Sequence, residues 1–131
     1  MELQESKMRI LVVDDDPQLN KLVATMFEQI GETQVDCAVD GHEGLERLDR
    51  ETYGLVLLDL NMPAMNGVDF VVAMGLHQPG VPCIFVTAAA DEMIQMAMNV
   101  AREAGVKMLG TLRKPFNQQQ LEGMFRQVQA A

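Results

Sequence analysis

The stretch RILVVDDDP, residues 9–17, runs apolar residues directly into Asp14, Asp15 and Asp16. Two carboxylates about 4 Å apart repel by roughly 4 kcal/mol at an effective dielectric near 20, so such a cluster beside a core calls for a counter-charge. A hard divalent cation is the first candidate, because Mg²⁺ prefers carboxylate and water oxygens. Three further residues with chemical capacity also stand at the ends of candidate strands: Asp59 in LVLLDLNMP, Thr87 in CIFVTA and Lys114 in TLRKPF. As a set they suit a phosphorylated carboxylate. Asp59 would be the nucleophile that forms an acyl phosphate, and Mg²⁺ held by Asp14 or Asp15 would neutralise and align the phosphoryl group. Lys114 would bring a point positive charge to the phosphoryl oxygens, and the Thr87 hydroxyl a hydrogen bond. Each residue alone also has a structural use. The Asp run can cap a helix, Asp59 can begin a turn before Pro63, Thr87 can cap the following helix, and Lys114 can be a surface charge. Convergence of all four at one sheet edge favours the chemical reading.

The elements that must position them follow from periodicity. Five strands are predicted at Met8–Val13, Val35–Ala38, Leu55–Leu58, Cys83–Val86 and Lys107–Leu112. The first, third and fourth are apolar throughout, as in a parallel sheet covered on both faces. Between the first two strands, Leu19, Leu22, Val23, Met26, Phe27 and Ile30 form one helical stripe, with Asp16 as cap, Pro17 in the first turn and Gly31 at the end. The second helix opens at DGHE, where Asp40 and Glu43 resemble a capping box. The third follows MNG, with Gly67 permitting the turn into it. The fourth spans Asp91–Ala104 with Ile94, Ala97, Met98 and Ala101 on one face. The fifth begins at NQQQ and buries Leu121, Met124, Phe125 and Val128. This (βα)₅ alternation predicts a parallel sheet with right-handed crossovers and helices on both faces. Ligands bind such sheets beyond the carboxyl ends of the strands, where the four motifs fall.

Bulk properties bound the rest. A chain of 131 residues, 48% hydrophobic and 22% charged, predicts a single domain, 1–131, with a core over residues 8–128 and loose ends at Met1–Lys7 and the last few residues. No apolar run approaches a membrane span, and MELQESKMR lacks a signal-peptide core, so a cytoplasmic location is expected. A net charge of −9 with ten scattered basic residues argues against nucleic-acid binding. Cys37 and Cys83 read as small buried hydrophobes rather than a disulfide, and His42 and His77 as solvated helix residues. Most of the eleven methionines read as core filling, but Met93, Met96 and Met98 cannot all face the sheet.

The ordered motifs ILVVDDDP, LVLLDLNMPAMNG, VTA and KPF resemble the receiver domain of two-component response regulators across about Met8 to Val128. The resemblance implies a flavodoxin-like sheet of order 2-1-3-4-5 and phosphorylation of Asp59 by a sensor histidine kinase or a histidine phosphotransfer protein. By position, Asp15 and Asp59 resemble direct Mg²⁺ ligands, Asp14 an acidic-site residue that often acts through water, and the backbone carbonyl of Asn61 a third ligand. Lys114–Pro115 resembles the family's cis peptide. Output to a partner, an output domain or a second copy is expected through the face made by the fourth helix, fifth strand and fifth helix.

Three departures stand out. Thr111 occupies the place of the family's aromatic switch residue, Ala89 offers no polar group two residues after Thr87, and the segment from Thr87 to Lys114 is about one helical turn longer than the family pattern. That extension is weakly similar to receivers fused to cyclic-di-GMP phosphodiesterase domains. Two rivals share parts of the pattern. A haloacid-dehalogenase-like phosphatase would use Asp14 as nucleophile but needs an acidic pair after its lysine, where this chain has only Glu122. A flavodoxin would need a phosphate-cradling loop where DDDPQL stands. A degenerate receiver, binding partners without phosphorylation, is the remaining alternative.

Overall fold

The computed structural model describes residues 7–130. Elements alternate as β1 Met8–Val13, α1 Pro17–Ile30, β2 Thr33–Ala38, α2 Gly41–Arg50, β3 Leu55–Leu58, α3 Gly67–His77, β4 Pro82–Thr87, α4 Asp91–Glu103, β5 Lys107–Arg113 and α5 Gln118–Ala130. All five strands are parallel, in the order β2-β1-β3-β4-β5. Three strands are longer than the apolar runs suggested, because pairing extends past them: Thr33 lies opposite Met8, Pro82 opposite Lys107, and Arg113 opposite Thr87. The expected loose ends fall largely outside the described residues. At the carboxyl end the expectation is corrected, since α5 stays helical to Ala130.

Alternate residues of the apolar strands feed two cores, which is why the runs are apolar without interruption. Ile10, Val12, Leu57 and Val86 face α1 and α5, whereas Leu11, Val13, Leu58 and Phe85 face α2, α3 and α4. Phe27 and Phe125 close the first layer edge to face, 5.4 Å between centroids. Leu22, placed in the apolar stripe of α1, lies on its flank instead and is half-exposed. Met93 and Met98 pack on the core while Met96 is exposed. Both cysteines are free, and His42 and His77 are exposed.

Caps were largely legible. Asp16 accepts from the Gln18 and Leu19 amides. At α2, Asp40 accepts from the Glu43 amide, but the Glu43 carboxylate takes the Val39 amide, one residue earlier than in a reciprocal box. Asn117 and Gln120 form a reciprocal box at α5. Thr87 does not cap α4; the N-cap is Ala90, which contributes no side-chain bond.

Gly67 and Gly110 meet different demands. Gly67 is not among the residues with positive φ, and the residue in the preceding turn that adopts it is Ala64, at φ 67°. Gly67 is required for space instead: a Cβ there would stand 2.7 Å from the Asp59 carbonyl oxygen and from Leu60 Cα. In β5, Cys83 pairs with Met108 and Ile84 with Gly110, so Leu109 is the extra residue of a bulge. Gly110, at φ 147°, takes up the distortion. Part of the long segment before Lys114 is thus spent in this bulge, where Met108 and Leu109 pack against opposite cores.

Candidate functional site

The three aspartates divide their work. Asp14, the first residue past β1, is only 3% exposed; Asp15 is exposed and Asp16 is the α1 cap. Carboxylate oxygens of Asp14, Asp15 and Asp59 all lie within 4.8 Å of one another. Into this group reaches Lys114, whose ammonium donates to Asp14 Oδ2 at 2.7 Å and to Asp59 Oδ2 at 3.0 Å. The immediate counter-charge is therefore a lysine one hundred residues away in sequence. Three carboxylates against one ammonium still leave two negative charges, which matches a divalent cation.

Local bonds hold each group. Asp14 Oδ1 accepts the Asp16 amide at 2.9 Å, and Asp59 Oδ1 accepts the Asn61 amide at 3.2 Å. Asp59 thus also begins the turn before Pro63. Lys114 is anchored by its own amide, which donates to the Thr87 carbonyl at 3.0 Å, and the Lys114–Pro115 peptide is cis. Thr87 is fully buried at the end of β4, its hydroxyl accepting from the Ala89 amide at 3.1 Å. Asn61 is exposed, and its carbonyl accepts no hydrogen bond among the described residues.

Burial pushes the Asp14 carboxyl up, and this outweighs the Lys114 and Asp16 hydrogen bonds that favour its charge; the nearby Asp59 charge adds to the rise. For Lys114, burial alone acts downward, but its hydrogen bonds to Asp14 and Asp59 prevail and raise it above its ordinary 10.5. The ammonium is accordingly charged at neutral pH. The three carboxylates are hard oxygen donors on one side of the cluster, and exposed Asp15 leaves room for the waters that Mg²⁺ retains. The donor set fits that ion.

Two residues at the site escaped the sequence reading. Asn20 is buried in the first turn of α1 and donates to the Asp14 carbonyl at 2.9 Å. Its signal was its spacing, since it shares a helix face with Val23 and Phe27, where an apolar residue belongs. Arg113 donates to the Ala89 carbonyl at 3.3 Å and pairs with Asp91, tying β5 to the β4–α4 loop. Nothing in local sequence marks that pairing, which depends on strand register. Beside the cluster, Asp16, Leu19, Leu22, Ala88, Lys114, Pro115 and Phe116 line a groove of about 410 Å³.

A parallel α/β sheet of order 2-1-3-4-5, with acidic groups and a lysine gathered at its carboxyl edge, defines the flavodoxin-like phosphorelay modules rather than the flavin carriers of similar fold. The family model for the response regulator receiver domain matches residues 10–126, and the chain belongs to that family. Receiver domains are signalling modules rather than enzymes in the ordinary sense. They take phosphoryl groups from histidine kinases, pass signals to output domains, and bind Mg²⁺ at an acidic cluster such as Asp14, Asp15 and Asp59. The chain is 28% identical to a probable chemotaxis protein CheY of Rhizobium etli, over 93% of this chain and 92% of that one. It is 36% identical to the transcriptional regulatory protein CpxR of Escherichia coli K12 over 92% of this chain, which spans only 48% of CpxR. The response regulator protein TrrA of Thermotoga maritima, solved in complex with Mg²⁺–BeF, superposes with a TM-score of 0.78 at 26% identity, over 92% of this chain and 98% of that one. Among the described residues, no helix is long and apolar enough to cross a membrane.

Proposed function

We propose that Asp59 is the phosphoacceptor of this receiver and that Asp14, Asp15, Asp59 and the Asn61 carbonyl hold Mg²⁺. The observation that carries this is the bridge from Lys114 to both Asp14 and Asp59, which sets one fixed positive charge between two strand-end carboxylates, with Asp59 read as the acceptor and Asp14 as part of the cation site. An Asp59 oxygen attacks phosphorus, the bond to the donor's leaving group breaks, and that group departs with its electron pair. The Lys114 ammonium takes up charge on the phosphoryl oxygens, and the Thr87 hydroxyl turns from Ala89 to donate to one of them. Mg²⁺, when bound, offsets the remaining negative charge.

The donor is a histidine kinase or a phosphotransfer protein, and the half-exposed Leu22, which lines the groove together with Lys114, gives its helix an apolar contact. Output runs through α4, β5 and α5, toward an output domain or a second copy. Thr111 is exposed and too small to gate that face, so the β4–α4 loop held by Arg113 carries the change into α4. Phosphotransfer from a small acyl-phosphate donor tests the assignment. Asp59→Asn abolishes Mg²⁺-dependent labelling, whereas Asp14→Asn only weakens it. The converse pattern would make Asp14 the nucleophile, as in the phosphatase rival.

A further inference from the structure

Asn20 carries a polar side chain that α1 buries to 3% exposure between the ends of β1 and β2. Its Nδ2 donates to the Asp14 carbonyl at 2.9 Å and reaches the Ala38 carbonyl at 3.5 Å. That second carbonyl also accepts the Asp14 amide at 3.0 Å. The backbone of Asn20 is fixed too: its amide donates to the Asp16 carbonyl at 3.1 Å, and its carbonyl receives the Cys37 thiol at 3.6 Å. The amide orientation is set by these neighbours, because a reversed group would aim its oxygen at two carbonyl oxygens.

The other end of the same side chain is costly. Asn20 Oδ1 is buried with no hydrogen-bond partner among the described residues, and an unsatisfied buried acceptor is a net loss to stability. A side chain of this shape kept for packing alone would be leucine. What Asn20 supplies, and leucine cannot, is a donor to the Asp14 carbonyl.

That carbonyl has leverage over the site. The Asp14 carbonyl and the Asp15 amide belong to one planar peptide unit, so pinning the oxygen fixes the plane from which Asp15 departs. Asp14 itself is then held at its amide by Ala38, at its carbonyl by Asn20 and at its carboxylate by Asp16 and Lys114. Asp15 is exposed and is not otherwise tied down by any side-chain hydrogen bond among the described residues.

We infer that Asn20 is a positioning residue of the cation site, presetting the Asp14–Asp15 peptide so that both carboxylates face Asp59 before Mg²⁺ arrives. This rests on the metal site proposed above. Partners one layer behind metal ligands typically change affinity by about 10- to 100-fold when removed, and Asn20→Leu should weaken Mg²⁺ binding, measured by calorimetric titration, to that degree. Val23→Ala is the control: it opens a void in the same face of α1, where Val23 is 1% exposed, without touching the Asp14 carbonyl. It should lower the melting temperature and leave Mg²⁺ affinity unchanged. Asn20→Ser, too short to reach the carbonyl, should weaken Mg²⁺ binding likewise and serves if the leucine variant does not fold. Unchanged Mg²⁺ affinity in the Asn20 variant, or equal losses in the Asn20 and Val23 variants, overturns the inference while leaving the phosphoacceptor reading intact. Failure of the unsubstituted chain to bind Mg²⁺ overturns both.

Discussion

Gly67→Ala and Gly123→Ala are the same substitution in two helices, and the structure requires opposite outcomes. At Gly67 the new Cβ would lie 2.7 Å from the Asp59 carbonyl oxygen and from Leu60 Cα, both backbone atoms, and 2.8 Å from Leu60 Cδ2. Ordinary contact begins at 3.4 Å, so α3 or the end of β3 must retreat by several tenths of an ångström. Overpacking of this kind costs about 1–3 kcal/mol, more than the roughly 1 kcal/mol that alanine gains over glycine within a helix. At Gly123, in α5, nothing lies within 4 Å of the added Cβ, so only the gain remains, about 0.5–1 kcal/mol. Urea unfolding should therefore move the midpoint down for Gly67→Ala and up for Gly123→Ala at unchanged slope. By thermal melt, each kcal/mol corresponds to about 3–5 °C at this chain length. Because the displaced atoms belong to Asp59 and its neighbour, Gly67→Ala should also slow phosphorylation, which Gly123→Ala leaves alone. Equal stabilisation by the two substitutions would refute the close-approach account of Gly67.

Other outcomes follow from the same structure. Mg²⁺ at 100-fold excess over its Kd should raise stability by about 2.7 kcal/mol. Lys114→Met should widen the gap between melts with Mg²⁺ and with chelator, since carboxylates within 4.8 Å of one another repel by at least about 3 kcal/mol per pair at an effective dielectric near 20; an unchanged gap would remove Lys114 as their counter-charge. Tyr53, the one tyrosine in a chain without tryptophan, is held protonated by burial and by its 2.6 Å hydrogen bond to Asp36. Above pH 10 the folded chain therefore keeps a proton that the unfolded chain loses, and stability falls as pH rises. Tyrosinate absorbance should appear only with unfolding, and Tyr53→Phe should shallow the alkaline decline, leaving the part due to Lys114 above 10.5. In hydrogen exchange, beryllofluoride should alter protection across residues 88–104 in the unsubstituted chain and in Thr111→Ala alike, whereas Arg113→Gln should loosen residues 88–91 beforehand; loss of the response in Thr111→Ala would make Thr111 the switch.

How much could be read from sequence depended on whether a residue's role was local. Strand runs, the Asp16 cap and the α5 stripe are set by neighbours within a turn, and periodicity exposed them. Asp14 and Asp59 were legible because each directly follows an apolar run, and Lys114 because it stands just past the last strand, and a parallel sheet gathers such positions at one edge. The Lys114 bridge to both carboxylates was not, because it depends on how far a side chain reaches across strands. Gly67 was noticed for the wrong reason: sequence suggests torsional freedom, while only packing reveals the nearness of the Asp59 carbonyl. Leu22 was misplaced because a stripe gives a helix face but not the width of what covers it.

The two ends of α4 are held very differently. At its carboxyl end, Ala104 presses so closely on Gly75 of α3 that a Cβ on Gly75 would meet the Ala104 backbone. At its amino end, Ala90 supplies no capping side chain, and the loop is tied through Arg113, half-exposed, to Ala89 and Asp91. The helix is thus mounted like a door, hinged at the end remote from Thr87 and latched at the end beside it. With thirteen residues at 1.5 Å rise, it is about 20 Å long, so a push of about 1 Å at Asp91 tilts it by roughly 3°. Exposed Met96, five residues along, travels about 0.6 Å under that tilt, and the hinge end hardly moves. A partner that reads this motion gains most from gripping the amino-terminal half of α4.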